Sequence, residues 1–246
     1  MANPFIDRNT CWNPDSKPGL FARGKNTLFI EEYVLNENGA VWRSSSTGPS
    51  CKPRNFGQFE TGIHDIACHL LANDKRVNSP SGGSKLSDLV QVARNLSAQT
   101  NCNDGVFEDD GVLVGNWSGE YADGKSPTSW NSSVTIIQQF KNSGYQPVCY
   151  GQCWVFSAVL VTLLRTMGIP ARSVTNYSSA HDTDNTMTID HYKDEHNEDV
   201  HFEGSSDSIW NFHVWNECWL NRPDSPADQG FDGWQAVDLT PQEASG

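Results

Sequence analysis

Apolar residues recur at helical spacing in several stretches of the chain, and the longest begins at Cys153. Phe156, Val159, Leu160, Leu163, Leu164 and Met167 fall three or four residues apart, until Gly168-Ile169-Pro170 stops the pattern. Earlier, Phe59, Ile63, Ile66, Ala67, Leu70 and Leu71 predict an amphipathic helix ending near Asn73-Asp74. Leu86, Leu89, Val90, Ala93 and Leu96 predict a second, with Ser84 as its N-cap, and a short helix is expected around 132–140. After the central helix the period changes. Ala171-Arg172-Ser173-Val174-Thr175 alternates like a strand, and 210–219 and 234–238 are the next strand candidates, separated by a Pro/Asp/Gly loop. Residues 1–26, rich in Asn, Asp, Pro, Gly and Lys, read as an irregular surface segment, and Asn38-Gly39 as a turn. Helices first and strands afterwards indicate an α+β domain.

Composition narrows the function classes. Thirty acidic against 17 basic residues give a net charge of −13, with no basic run, so neither nucleic acid nor an anionic membrane surface is expected as a partner. No apolar stretch approaches the length of a membrane span. The opening Met1-Ala2-Asn3-Pro4-Phe5 has no basic segment followed by an apolar one. Seven scattered cysteines suit free thiols, and with them a reducing, cytoplasmic setting. Where acids gather with Asn and Ser in loops, at 101–111 and 181–208, a hard cation is the competing idea to a solvated surface.

Cys153 would lie in the first turn of a buried helix, behind a glycine that permits close backbone approach. The helix dipole and unpaired N–H groups there favour a thiolate. A thiol nucleophile needs a base, and the base an orienting group. Along 210–219 the odd positions put His213, Trp215, Glu217 and Trp219 on one face, and along 234–238 the matching face is Trp234, Ala236 and Asp238. Antiparallel pairing would set His213 beside Asp238, facing the helix that Cys153 begins. Spacing alone leaves the histidines at 64, 69, 181, 191, 196 and 201 equally available.

Whole words of sequence narrow the choice. Tyr150-Gly151-Gln152-Cys153-Trp154-Val155-Phe156, Asn211-Phe212-His213-Val214-Trp215-Asn216-Glu217 and Gly233-Trp234-Gln235-Ala236-Val237-Asp238-Leu239-Thr240-Pro241-Gln242-Glu243 resemble the active-site segments of animal-type transglutaminases. So do Asn55-Phe56-Gly57-Gln58-Phe59-Glu60, Gly111-Val112-Leu113-Val114-Gly115-Asn116-Trp117 and Ala180-His181-Asp182-Thr183-Asp184. The resemblance covers roughly 28–243. It implies a papain-like α+β core, helices packed on an antiparallel sheet, and a calcium-dependent protein-glutamine γ-glutamyltransferase. Its partners would be proteins bearing Gln as acyl donor and Lys or small primary amines as acceptor.

By motif position the resemblance makes Cys153 the nucleophile, His213 the base and acid, and Asp238 its orienter. Trp117 matches the tryptophan whose indole N–H helps hold the oxyanion, and Trp210 a wall of the acyl-acceptor tunnel. Asp182, Asp184, Thr186, Thr188 and Asp207 match one calcium loop, with Thr186 where the family often carries Asn. Asn101, Asn103 and Asp104 match a second, in which an apparent insertion at 106–109 leaves Asp109 or Asp110 as the last ligand. The expectation is a single catalytic core over 1–246, without the β-sandwich and two β-barrels that usually flank it, and with an accessible cysteine. A Cys/His/Asp hydrolase and a catalytically silent binding module are the alternatives.

Overall fold

A helix that is apolar all round must be enclosed on every side. In the computed structural model, which describes residues 23–45, 47–75, 77, 86–102, 111–182, 186, 188–198, 200, 207–222 and 231–240, that helix is α5. In chain order the elements are α1 (Arg23–Ile30) running into a π-helical turn (Glu31–Leu35), β1 (Asn38–Ser45), β2 (Gly48–Asn55), α2 (Ile63–Asn73), α3 (Leu89–Thr100), β3 (Leu113–Gly115), α4 (Ser133–Asn142), β4 (Val148–Gly151), α5 (Cys153–Thr166), β5 (Ala171–His181), β6 (Ser208–Leu220) and β7 (Gly233–Val237). Every residue of α5 except Trp154 is buried. It is enclosed by α2, α3 and α4 and by the antiparallel sheet β5-β6-β7. This is the expected α+β arrangement.

The polar side chains of α5 lock it to its surroundings. Asn216 of β6 donates to the Ser157 carbonyl at 2.9 Å, and the Ser157 hydroxyl lies 2.7 Å from that of Ser173 on β5. Thr162 donates to the Phe56 carbonyl at 2.8 Å. Arg165, its pKa lowered by burial to about 10, donates to the carbonyls of Ala171 and, at 2.6 Å, Asn36. Buried groups so paired fix the rotation and depth of the helix as well as its place.

Several expectations are corrected. The first helix starts at Ile63: Phe59 precedes it and is 48% exposed. The second starts at Leu89 and is capped by Asp88, whose carboxylate accepts from the Val90 N–H at 2.9 Å; Ser84 lies outside the described residues. The segment 1–26 was expected to be irregular, yet α1 begins at Arg23. Asn38-Gly39 opens a strand rather than a turn. The β1–β2 hairpin and the parallel β3–β4 pair were not anticipated. Among the described residues no helix is long and apolar enough to cross a membrane, and none of the six described cysteines is in a disulfide.

Gly151 is needed for close approach. A Cβ there would stand 2.4 Å from Leu113 Cδ2 and 2.8 Å from its Cγ, both in the core under α5. Gly151→Ala is therefore expected to destabilise the fold by about 1–3 kcal/mol through overpacking. Urea denaturation checks this, and a midpoint equal to that of the wild type would contradict it.

Candidate active site

The register of the sheet brings His213 to Asp238. Trp219 pairs with Trp234, Glu217 with Ala236 and Asn216 with Val237. Asp238 follows β7 directly, and its Oδ2 lies 2.5 Å from His213 Nε2. Its Oδ1 accepts from the Thr240 N–H at 3.0 Å, which fixes the carboxylate. His213 is buried. Burial alone pulls the imidazole down, but hydrogen bonding and charge from Asp238 and Cys153 outweigh it and raise the pKa to about 10. Nδ1 is buried without a hydrogen bond of ordinary geometry. With Nε2 committed to Asp238, Nδ1 is the nitrogen left to act on the Cys153 sulfur.

One part of the strand expectation is corrected. The face of β6 that packs into the core carries Val214, Asn216, Cys218 and Leu220, the even positions, because these are the apolar and internally bonded side chains. His213 stands on the other face with Trp215, Glu217 and Trp219. It is nonetheless close enough to Cys153 for that thiol to help raise its pKa.

Cys153 is the first residue of α5 and is 3% exposed. The preceding Gln152 is extended (φ −135°, ψ 174°) and does not cap the helix with its side chain. Its amide instead donates to the Asn116 carbonyl at 2.9 Å, and the Asn116 N–H donates to the Gly151 carbonyl at 3.1 Å. These bonds extend the β3–β4 pairing and set Trp117 beside Cys153. The Trp117 ring lies parallel to Phe156 (centroids 6.5 Å apart, planes within 6°), and among the described residues its indole N–H has no acceptor. Trp210 stands edge-on to His213 at 5.6 Å and stacks on His181 at 4.4 Å.

Cys153, Trp117, Trp154, Trp210 and Phe212 line one cavity of about 770 Å³. The structure thus brings together Cys153, His213, Asp238, Trp117 and Trp210. It adds a wall that the sequence reading missed: Arg43, Ser45, Ser50 and Lys52 of the β1–β2 hairpin. The Gly48-Pro49-Ser50-Cys51-Lys52-Pro53 stretch has no β-branched residue and two prolines, so it carries no strand signal.

The oxygen-rich loops are only partly described. Thr186 and Thr188 hydroxyls lie 2.8 Å apart, Thr188 donates to Asp190 Oδ1 at 2.8 Å, and the Asp190 N–H donates to Asp207 Oδ2 at 3.0 Å. Asp182 follows His181 at the end of β5. The gathered donors are all oxygens, which suits a hard cation. Among the described residues no three His, Cys, Asp or Glu side chains converge as a metal site. Asn101 is buried and bridges to Leu113. Asp184, Asn103, Asp104, Asp109 and Asp110 lie outside the described residues.

Comparison with known proteins gives the chain's family. A family model described as Transglutaminase-like superfamily matches residues 117–239. The chain is 47% identical over 215 residues to protein-glutamine gamma-glutamyltransferase K of Canis lupus familiaris, covering 87% of this chain and 25% of that protein. It is 47% identical over 243 residues to protein-glutamine gamma-glutamyltransferase 2 of Gallus gallus, covering 98% of this chain and 34% of that protein. The crystal structure of red sea bream transglutaminase superposes with a TM-score of 0.77 at 43% identity, over 88% of this chain and 32% of that one. The chain therefore spans between a quarter and a third of the length of these relatives.

A histidine whose folded pKa stands above its ordinary value lends stability in full below about pH 6.5 and loses it as pH rises. For His213 that loss runs up through about pH 10. Asp238→Asn removes the main partner. The gap in unfolding free energy between wild type and Asp238→Asn is expected to be flat near pH 6 and to narrow towards about pH 10. Urea titrations across that range measure it, and a gap independent of pH would show that the pair is not coupled.

Proposed function

The chain belongs to the transglutaminase-like superfamily, and we propose on that footing that it is the catalytic core of a calcium-dependent protein-glutamine γ-glutamyltransferase. The observation that carries this reading is the Cys153–His213–Asp238 arrangement opening on a cavity walled by Trp117 and Trp210.

The Cys153 sulfur attacks the carboxamide carbon of a substrate glutamine. His213 gives a proton to the departing ammonia, and a thioester remains. A lysine side chain or small primary amine then attacks that thioester, His213 takes the amine proton, and the isopeptide bond forms as the thiol is restored. Asp238 holds the imidazole in one tautomer and orientation, which directs Nδ1 to the sulfur. The free indole N–H of Trp117, with the Cys153 backbone N–H at the start of α5, supplies the oxyanion donors. Trp117 and Trp210 give an apolar passage that disfavours water at the thioester and so disfavours hydrolysis.

Calcium is the cation that the donor set fits. Asp182, Asp184, Thr186, Thr188 and Asp207 would hold one ion, and Asn101, Asn103 and Asp104 a second. Bound calcium supplies positive charge that offsets carboxylate repulsion in these loops. A reduced sulfur is required throughout, so a reducing, cytoplasmic setting belongs to the same proposal.

Calcium-stimulated incorporation of a fluorescent primary amine into a glutamine-bearing protein is expected for wild type and absent in Cys153→Ala. Trp117→Phe keeps an aromatic ring against Phe156 but loses the N–H, so kcat is expected to fall about 10²–10³-fold with little change in thermal midpoint. Ammonia release without amine incorporation would replace transfer by hydrolysis. Neither product from a folded wild-type chain would sink the enzymatic reading.

A further inference from the structure

The hairpin wall of the cavity has no part in the mechanism above, yet its chemistry is distinctive. Arg43 pairs with Ser50 across β1–β2, Val41 with Lys52 and Ser45 with Gly48, so these side chains share one face of the ribbon. Val41, on that face, is buried, which turns the face towards the core. Arg43, Ser45, Ser50 and Lys52 all line the cavity that holds Cys153, and among the described residues no acidic side chain does. In a chain of net charge −13 such a wall runs against the overall balance.

Arg43 is held ready for an anion. Its guanidinium lies 4.7 Å over the ring of Trp154, the one residue of α5 that is not buried. Among the described residues its side chain has no hydrogen bond and no carboxylate partner, and Nε is buried in that state. Lys52 likewise forms no ion pair among them. Burial lowers the Arg43 pKa and the charge of Cys153 opposes that, which puts the guanidinium within electrostatic range of the nucleophile. A buried, unsatisfied guanidinium N–H is costly, and native structures ordinarily pair it. The planar fork of Arg suits a carboxylate, which it can bind through two parallel N–H···O bonds. A cavity of about 770 Å³ has room for more than a single glutamine side chain.

We propose that Arg43, assisted by Lys52, receives a carboxylate on the acyl-donor segment, so that this chain selects glutamines flanked by acidic residues. The inference rests on the transferase reading and names its donor specificity.

The test uses peptides identical except for one residue within two positions of the glutamine, made Glu, Gln or Lys in turn. The kcat/KM for amine incorporation by wild type is expected to be about tenfold higher for the best-placed Glu than for its neutral counterpart, and lowest for Lys. The ratio should shrink as salt is raised. Arg43→Gln should bring the ratio near one, Arg43→Lys should keep part of it, and Arg43→Glu should turn it in favour of the Lys peptide. A ratio near one at every position in wild type would overturn the proposal. So would an equal loss on all peptides in Arg43→Gln, which would assign Arg43 to the sulfur instead of the substrate. Calorimetric binding of the same peptides to Cys153→Ala gives a readout that needs no turnover. Tighter binding of the Glu peptide, lost when Arg43→Gln is added, supports the inference even if the transferase reading fails; equal binding sinks it.

Discussion

Enclosing α5 on all sides leaves its first residue little freedom. A buried helix satisfies its own backbone along its length, but its first N–H groups have no intrahelical acceptor. In this fold that end meets the cavity, and Cys153 is the residue there. The buried polar contacts of Ser157, Thr162 and Arg165 do more than satisfy one another's hydrogen bonds. They tie the helix to β5, β6, the hairpin's exit at Phe56 and the chain at Asn36, which sets its rotation. With rotation set, Phe156 offers the plane on which Trp117 lies, one turn from the sulfur. The position of Cys153 and that of its neighbouring indole thus follow from the same packing constraint.

Charge is placed sparingly around this helix. The Glu217 carboxylate accepts from Arg172 at 2.6 and 2.9 Å, beneath an aromatic group in which the guanidinium lies 4.1 Å from the Trp234 ring. That pair closes the end of the sheet away from the nucleophile, where Phe29 of α1 meets Trp219 and Trp234. Asp238 is the carboxylate committed to the histidine. The cations that face the cavity come from a separate element. The sheet therefore carries the His213–Asp238 pair, and the hairpin carries the cations that line the cavity.

How much of this could be read from the sequence depends on where hydrophobic period and function coincide. The period of 153–167 is strong because burial is complete, so α5 and its cysteine were legible. His213 and Asp238 were legible as a pair through the words of sequence around them, since strand alternation alone left six other histidines available. Which face of β6 packs on the core was not legible, since Val214, Cys218 and Leu220 had to be weighed against Trp215 and Trp219, and bulk misleads when the aromatic residues cover a rim. The β3–β4 pair is only a few residues long and depends on a partner more than thirty positions away, so no local pattern marks it. The hairpin was hidden by Pro49 and Pro53, which are tolerated because the strand sits at an edge. Arg43 was missed with it.

The way that hairpin is fastened has an evolutionary consequence. Thr175 of β5 donates to the backbone carbonyl of Trp42 at 2.7 Å, and the Tyr177 hydroxyl reaches that of Arg43 at 3.5 Å. Both anchors grip main-chain atoms, so exchanging the side chains at 42 and 43 leaves these two hydrogen bonds in place. The ribbon's attachment and the side chains it turns to the cavity are to that extent separable, so the lining can vary while the fastening stays.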